Sequence, residues 1–199
     1  MPGKLEVLVL SIAVEKEVKF RIPSWDEGER RLATAGGSVR EPRHFESNSL
    51  FDFPDRVLEN RGEALRLRRS GSRAWLTFKG PVHGRGRIKQ RHEYETSLGD
   101  PTAVEIMLQA LGLEEHFRYE KYRAVYFLSG LAVMLDETPI GFFLEIEGTR
   151  ENIEAAADKL GLRMQEACSI TYPQLYQQYR DQKPRAPEFM VFPQRRKLS

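Results

Sequence analysis

The chain has 199 residues, 40% hydrophobic and 30% charged, which suits one globular domain with a sizeable core. Its 31 Lys and Arg nearly balance 29 Asp and Glu, so the formal charge of +2 favours neither nucleic acid nor an anionic membrane as a partner. The single cysteine, Cys168, is too few for a disulfide framework, so a reduced, cytoplasmic compartment is expected. The apolar run 7–14 is too short to span a bilayer, so no membrane association is expected.

The first half of the chain is predicted to consist mostly of strands. A long β-like stretch covers residues 6–22, and a helix over 25–35 follows, with Ser24 as its N-cap and Gly36 at its end. β-Branched, aromatic and alternating residues then predict four strands separated by glycine-containing turns. These strands cover residues 40–53, 64–69, 74–79 and 87–98.

The second half adds helices around a meander of strands. Asp100 and Pro101 open a helix to residue 111, and its apolar residues have the spacing of a core-facing helix. These apolar residues are Val104, Met107, Leu108 and Leu111. Strands are predicted at 119–128, 131–136 and 141–147, and helices at 149–160 and 171–182. We therefore expect one domain over residues 1–182 and a mobile basic tail over 183–199.

Charged residues recur at every second position on five of these strands. Residues i and i+2 of a strand share a face, so each such pair projects its charges to one side while the intervening residues face the other. The rows are Glu15, Glu17 and Lys19; Arg66 and Arg68; Lys89, Arg91, Glu93 and Glu95; Lys121 and Arg123; and Glu145 and Glu147.

These rows have two interpretations. On any one strand, charges facing water and apolar residues facing a core are the ordinary arrangement. Five such strands would instead give a small barrel with a charged interior if helices covered the apolar outer faces. Buried charges of both signs are costly unless they are paired, solvated or bind a ligand. A polyphosphate bound with Mg²⁺ or Mn²⁺ satisfies both signs, because Arg and Lys hold phosphate and carboxylates hold the metal.

The N-terminal row resembles a known family signature. Residues 15–19 read Glu-Lys-Glu-Val-Lys, which is similar to the E-x-E-x-K signature of the CYTH, or triphosphate tunnel metalloenzyme, family. The remaining motifs follow in the family's order and approximate spacing. They are Leu-Arg-Leu-Arg at 65–68, Thr-Phe-Lys-Gly at 77–80, the row 89–95, Lys-Tyr-Arg at 121–123, Asp136, and Phe-Leu-Glu-Ile-Glu at 143–147.

The resemblance implies an α+β fold, in which a closed eight-stranded antiparallel β-barrel holds a triphosphate in its tunnel and helices pack outside. It implies substrate binding by basic residues, namely Lys19, Arg66, Arg68, Lys79, Lys89, Arg91, Lys121 and Arg123. It implies metal binding by acidic residues, namely Glu15, Glu17, Glu93, Asp136, Glu145 and Glu147. Glu17, Lys79 and Glu147 are the candidate catalytic residues. For Glu95, metal ligation and pairing with a neighbouring Arg are both open.

The family resemblance leaves the reaction open. Metal-dependent hydrolysis of tripolyphosphate, ATP or thiamine triphosphate is the first candidate, because it needs only the charged tunnel. A class IV adenylate cyclase, which converts ATP to cyclic AMP and pyrophosphate, is the alternative, and residues 45–52 resemble the corresponding segment of proteins with that label. A non-catalytic polyphosphate-binding module is the third candidate. A monomer and a homodimer are both compatible with the sequence.

Overall fold

Eight antiparallel strands form a closed barrel in the computed structural model, which describes residues 11–83 and 87–193, with the backbone alone for 11–15. The strands are β1 (Ser11–Ile22), β2 (Ser38–Asp52), β3 (Ala64–Ser70), β4 (Arg73–Lys79), β5 (Lys89–Ser97), β6 (Glu114–Leu128), β7 (Leu131–Thr138) and β8 (Gly141–Glu147). Their order around the barrel is β1-β5-β4-β3-β2-β6-β7-β8, and β1 pairs with both β5 and β8 to close the sheet. The predicted eight-stranded barrel is confirmed. Residues 6–10 of the first predicted strand lie outside the described residues.

Four of the five helices that the structure describes begin after a residue whose side chain caps them. Ser24 Oγ accepts a hydrogen bond from the Glu27 amide, and Asp100 Oδ1 accepts from the amide of Ala103, so both cap otherwise unpaired donors. The helices are α1 (Trp25–Thr34), α2 (Val57–Asn60), α3 (Pro101–Ala110), α4 (Arg150–Lys159) and α5 (Tyr172–Gln182), with a 3₁₀ turn at Met164–Glu166. Among the described residues, none of these helices is both long and apolar enough to cross a bilayer.

Most of the hydrophobic core lies outside the barrel, between the strands and the helices, while a further cluster packs α5 against Tyr119 and Phe143 on the inward face of the sheet. Val18 and Phe20 point outward from β1 and are almost completely buried, in one cluster with Leu32 of α1 and Ile153 of α4. A second cluster joins β2 and β3 to α3. Because the apolar face of the sheet is covered by helices, the alternate charged face points into the barrel. The inward interpretation of the charged rows is therefore the one that the structure shows.

Helix α3 packs with a different face from the one predicted. Leu108 is 8% exposed and packs, with Val104 beside it, in the α3 cluster, as expected. Met107 and Leu111, which the sequence also placed in the core, are 61% and 71% exposed. Apolar residues occur all around this helix, so their periodicity alone does not identify the buried face.

The first part of the predicted tail lies against the barrel. Met190 is fully buried, and its backbone forms a bridge with Tyr119 of β6. The Phe192 amide donates to the Glu120 carboxylate, 2.9 Å away. Met190 and the Phe192 ring, which lies beside Tyr122, thus place residues 190–192 on the barrel, while the mobility of the tail stays a prediction. Residues 194–199 lie outside the described residues.

Candidate functional site

The barrel interior is a charged cavity of about 1800 Å³. All eight basic residues predicted to bind substrate line it, and they come from β1, β3, β4, β5 and β6. The strand order places β5 opposite β6 and β3 opposite β8. Cationic side chains therefore reach the cavity from opposite sides of the barrel, as holding an extended polyanion would require.

Most of the predicted acidic residues share this cavity. Glu17, Glu93, Glu145 and Glu147 line it. Asp136 lies behind them with no exposed surface, in contact with cavity-lining cations. For Glu15 only the backbone is described, paired with Arg91 across β1 and β5, so its predicted metal-binding role lies outside the described side chains.

One wall is an ion-pair network built on β6, β7 and β8. The Arg123 guanidinium donates to both oxygens of Asp136, each at 2.7 Å, and to Glu145 Oε2 at 2.5 Å. Lys121 Nζ and the Tyr172 hydroxyl also donate to Asp136 Oδ2, at 3.1 and 2.8 Å. Buried charges require this degree of pairing, and the two hydrogen bonds to Asp136 fix the orientation of the Arg123 guanidinium.

The opposite wall, on β3, β4 and β5, is less completely paired. Arg68 Nη2 donates to the Glu95 carboxylate at 3.1 Å, and Lys79 Nζ lies 2.6 Å from Glu93 Oε2. The Nε atoms of Arg66 and Arg68 are buried and have no hydrogen-bond partner within the described part of the chain. Buried donors without partners are rare in proteins, and here they lie in the wall of a cavity that could hold an anion. Of the two roles left open for Glu95, the geometry shows the pairing with Arg.

The carboxylates that face one another lie on β1 and β8. Glu17 and Glu147 are register partners, and Glu145 is opposite Lys19, to which it is ion-paired. Lys89 Nζ lies 3.8 Å from Glu17 Oε1. Within the described residues, no three His, Cys, Asp or Glu side chains are grouped closely enough to hold a metal ion. The carboxylate donors themselves are of the kind that Mg²⁺ and Mn²⁺ prefer, and like charges in register across two strands favour an intervening cation.

The buried charges shift one another's pKa values. Burial alone would raise the pKa of Glu145, but Lys19, Lys121 and Arg123 hold it well below its usual range. Burial alone would lower the pKa of Lys19, yet Glu145 and Glu17 give a net increase. For Lys89 burial prevails over the attraction of Glu17 and lowers the pKa to about 8. Glu145 and Lys19 are therefore charged at neutral pH, and Lys89 holds its proton less strongly than an ordinary lysine.

Two residues of the site were not predicted from the sequence. Glu46 of β2 is 3% exposed, and Lys121 and Arg123 keep its pKa well below the usual range although burial opposes this. Tyr172 of α5 reaches Asp136, and its ring lies 4.2 Å from Lys19 Nζ. A signal for Glu46 existed in the inward positions of β2, since His44 and Glu46 alternate with Phe45 and Ser47.

His44 provides a pH-dependent contact at the cavity wall. Its Nδ1 lies 2.9 Å from the Pro42 carbonyl and its Nε2 lies 3.4 Å from Glu46, and the hydrogen bond to Glu46 is the largest cause of its raised pKa. Because folding raises this pKa, the protonated ring stabilises the fold fully below the ordinary His pKa of about 6.5. This stabilisation is lost as pH rises through the pKa of the folded state.

We therefore expect His44→Gln to remove a contribution that the wild type has near pH 6 and lacks near pH 8.5. The contribution is small, at most about 1 kcal/mol, because the ring is partly exposed. Urea unfolding of the wild type and the variant across this pH range measures the difference in their free energies of unfolding. Groups that titrate equally in both proteins do not contribute to this difference. A wild-type minus variant difference that stays constant with pH would contradict the assignment.

Known proteins are similar to this chain in sequence or in fold. A Methanocaldococcus jannaschii protein named "Putative adenylate cyclase" is 27% identical over 141 residues, which cover 70% of this chain and 79% of that protein. A Vibrio parahaemolyticus structure described as a "putative adenylate cyclase" superposes with a TM-score of 0.71 at 22% identity, covering 82% of this chain and 98% of that one.

A Hippeastrum structure has the same fold, with a TM-score of 0.62 at 19% identity over 83% of this chain and 96% of that one. That protein is described as a "putative adenylyl cyclase" with a dominant triphosphatase activity. The family model for the CYTH domain matches residues 13–171, which include all eight strands apart from the first two residues of β1. On this match, together with the barrel and its charged interior, the chain belongs to the CYTH family.

Proposed function

We propose that this protein hydrolyses a triphosphate in a reaction that depends on a divalent cation. The observation that supports the proposal is the composition of the cavity wall, in which eight cationic side chains surround carboxylates on β1 and β8. A bare metal site would not need the cations, and a simple anion site would not need the carboxylates. A metal–triphosphate complex uses both.

The basic residues would bind and orient the phosphate chain. Arg66 and Arg68 on β3 have buried Nε donors that await an acceptor, and a phosphate oxygen is a suitable one. Lys121 and Arg123 approach from β6, on another side of the cavity. Because Arg123 is fixed by Asp136, its orientation is set before a ligand arrives, which reduces the entropy lost on binding.

The acidic residues on β1 and β8 would hold the cation. We propose that Glu17, Glu145 and Glu147 hold it together with the phosphate chain, because these three carboxylates alone are not grouped closely enough to hold a metal ion. When bound, Mg²⁺ or Mn²⁺ would neutralise phosphate charge and lower the pKa of water. Asp136 already accepts from three side chains, so we propose that it acts by positioning Arg123 and Lys121. Metal ligation by Glu15, Glu93 and Asp136, and a catalytic role for Lys79, remain predictions.

Adenylate cyclisation is the second candidate, and it is favoured by the names of relatives. The M. jannaschii and V. parahaemolyticus proteins are named as candidate adenylate cyclases, whereas the Hippeastrum protein is described as predominantly a triphosphatase. Both reactions would use the same charged cavity. They differ in the attacking group, which is water in hydrolysis and the ribose hydroxyl of ATP in cyclisation.

The products formed from tripolyphosphate and from ATP distinguish the two reactions. We expect the purified protein with Mg²⁺ or Mn²⁺ to release phosphate from tripolyphosphate faster than it forms cyclic AMP from ATP. Phosphate, pyrophosphate and cyclic AMP are measured in parallel, with a chelator control. If cyclic AMP and pyrophosphate are the main products and tripolyphosphate only inhibits, the cyclase replaces the triphosphatase. Undiminished turnover in excess chelator would contradict metal dependence in either case.

Arg66→Ala tests whether the phosphate chain is the part that this wall recognises. We expect similar losses of kcat/KM with tripolyphosphate and with ATP, on the order of 10-fold to 100-fold, since the lost contact is to a group that both contain. A loss with ATP alone would place Arg66 beside the nucleoside instead.

A further inference from the structure

Trp75 is an aromatic residue of the cavity wall that lies near the β3–β4 turn. It shares the inward side of β4 with Thr77 and Lys79, because alternate residues of a strand face the same way. Its ring is partly exposed and belongs to none of the three hydrophobic clusters formed by the described residues. A large ring that faces a charged cavity from outside these clusters is available to pack against a ligand.

Two guanidinium groups flank this ring. Arg68 Cζ lies 4.8 Å from the ring centroid, and Arg73 Cζ lies 5.2 Å from it. Arg68 is the register partner of Trp75 across β3 and β4, and it is one of the residues proposed to bind phosphate. The Arg73 side chain is 60% exposed and pairs with Glu41 at 3.4 Å. One guanidinium therefore connects the ring to the phosphate-binding wall, while the other lies toward solvent.

Trp75 lies at the opposite end of the barrel from helix α5. The β3–β4 and β6–β7 turns share one end, and the β7–β8 turn is at the other, because neighbouring strands are antiparallel. Helix α5 packs at the β7–β8 end, where Tyr172 and Tyr176 share a cluster with Ile140 and Phe143. A ligand with its phosphates between the two ends can therefore extend its organic part toward Trp75, away from these packed rings.

The wall that faces Trp75 is apolar at this level. In the order of strands around the barrel β7 lies opposite β4, and β6 is its neighbour. Val125 of β6 and Ala132 of β7 line the cavity there. Val125 follows Arg123 by two residues toward the β6–β7 turn, as Trp75 lies two residues beyond Thr77 toward the β3–β4 turn. The charged middle of the cavity thus gives way to a zone that suits a flat apolar ring.

We propose that Trp75 is a stacking surface for the base of a nucleoside triphosphate. The inference rests on the proposed function, which places the phosphate chain beside Arg68. Stacking on a tryptophan face requires a flat conjugated ring, which a nucleobase has and tripolyphosphate lacks. The two guanidinium groups favour an uncharged ring over a cationic one, so the thiazolium of thiamine triphosphate is a poorer partner than adenine. Arg68 would lie between the base and the phosphate chain.

Tryptophan fluorescence tests the stacking directly. Trp25 and Trp75 are the two tryptophans of the sequence, so Trp25→Phe leaves Trp75 as the sole reporter. We expect ATP to quench its fluorescence more strongly than tripolyphosphate does, with Ca²⁺ in place of Mg²⁺ to suppress turnover. Quenching by ATP no greater than quenching by tripolyphosphate, when both are bound, would overturn the inference.

Calorimetric titration of variants under the same conditions measures the contribution of the ring to affinity. Trp75→Ala is expected to raise the Kd of ATP about 5-fold to 100-fold and to change that of tripolyphosphate by less than about twofold. Trp75→Phe keeps a ring and should restore most of the affinity for ATP. Tyr94→Ala is the matched control, because it removes a ring that is 39% exposed on the outward face of β5. Its affinities are expected to equal those of the wild type.

Three outcomes with Trp75→Ala would contradict the proposal. Equal weakening of ATP and tripolyphosphate would show that the ring only supports Arg68, and unchanged affinity for ATP would place the base elsewhere. A larger loss with thiamine triphosphate than with ATP would assign the ring to a different organic group. Because these measurements need no turnover, a protein that binds ATP through Trp75 but hydrolyses no triphosphate would contradict the proposed function and not this inference.

Discussion

Arg123→Met is expected to destabilise the fold by about 3 to 5 kcal/mol, because it leaves buried carboxylates without their main partner. Asp136 has no exposed surface and receives two hydrogen bonds from this guanidinium, and Glu145 receives a third. A loss of this size is a large fraction of the stability of a typical domain. Urea unfolding monitored by circular dichroism measures the change.

Two further variants separate charge from geometry. Arg123→Lys keeps the charge but cannot reproduce the bidentate contact, so we expect a smaller loss than with Met. In the double variant Arg123→Met, Asp136→Asn, the cost is expected to be less than the sum of the single costs, since the uncompensated charge on Asp136 has been removed. Additive costs, or a loss below about 1 kcal/mol for Arg123→Met, would show that the network contributes little.

Glu17→Gln and Glu147→Gln are each expected to lower turnover by about 100-fold or more while leaving the fold intact. Each change removes one carboxylate from the proposed metal ligands at nearly constant volume. Even mutation of a residue that only contacts a metal ligand commonly lowers metal affinity or activity about 10-fold to 100-fold. Stability should change by no more than about 1 kcal/mol, because each variant relieves the repulsion between these register partners of like charge but also weakens ion pairs such as that of Glu17 with Lys89. Phosphate release and urea unfolding provide the two measurements.

The control for this pair is Glu154→Gln on the outer helix α4, where the side chain is 48% exposed. Its turnover and stability are expected to match those of the wild type. Raising the Mg²⁺ concentration should partly restore activity in the Glu17 and Glu147 variants, because a weakened site is filled by mass action. Wild-type turnover in both variants would remove Glu17 and Glu147 from the proposed mechanism.

The strand positions were predictable because charged and apolar residues alternate with a period of two. Lys121 and Arg123 show this pattern clearly, with Tyr122 and Ala124 on the other face. Glu46 was not recognised because, beyond Phe45, the outward residues Ser47 and Ser49 are polar, so the alternation is weaker here than in the other rows. Register shifts in β2 disturb the pattern further.

The contacts made by helices were less predictable than those made by strands. Tyr172 lies in a helix rich in Tyr and Gln, and nothing in local periodicity indicates which tyrosine enters the barrel. The four-residue helix α2 is too short to show a helical period, and it is held by the Asp52 carboxylate, which accepts from the amides of Leu58 and Glu59. Such features depend on tertiary packing rather than on local sequence.

Closure of the barrel between β1 and β8 has a consequence for folding kinetics. Lys19 and Glu145, which pair across this seam, are 126 residues apart in sequence, so the chain must lose considerable loop entropy before their contact forms. Topologies dominated by such distant pairings fold on timescales of about milliseconds to seconds. Glu17 and Glu147 come into register at the same seam, so the carboxylates proposed to hold the cation come together only when the barrel closes. A partly folded chain with an open seam would therefore keep most of its strands and helices but lack this half of the site.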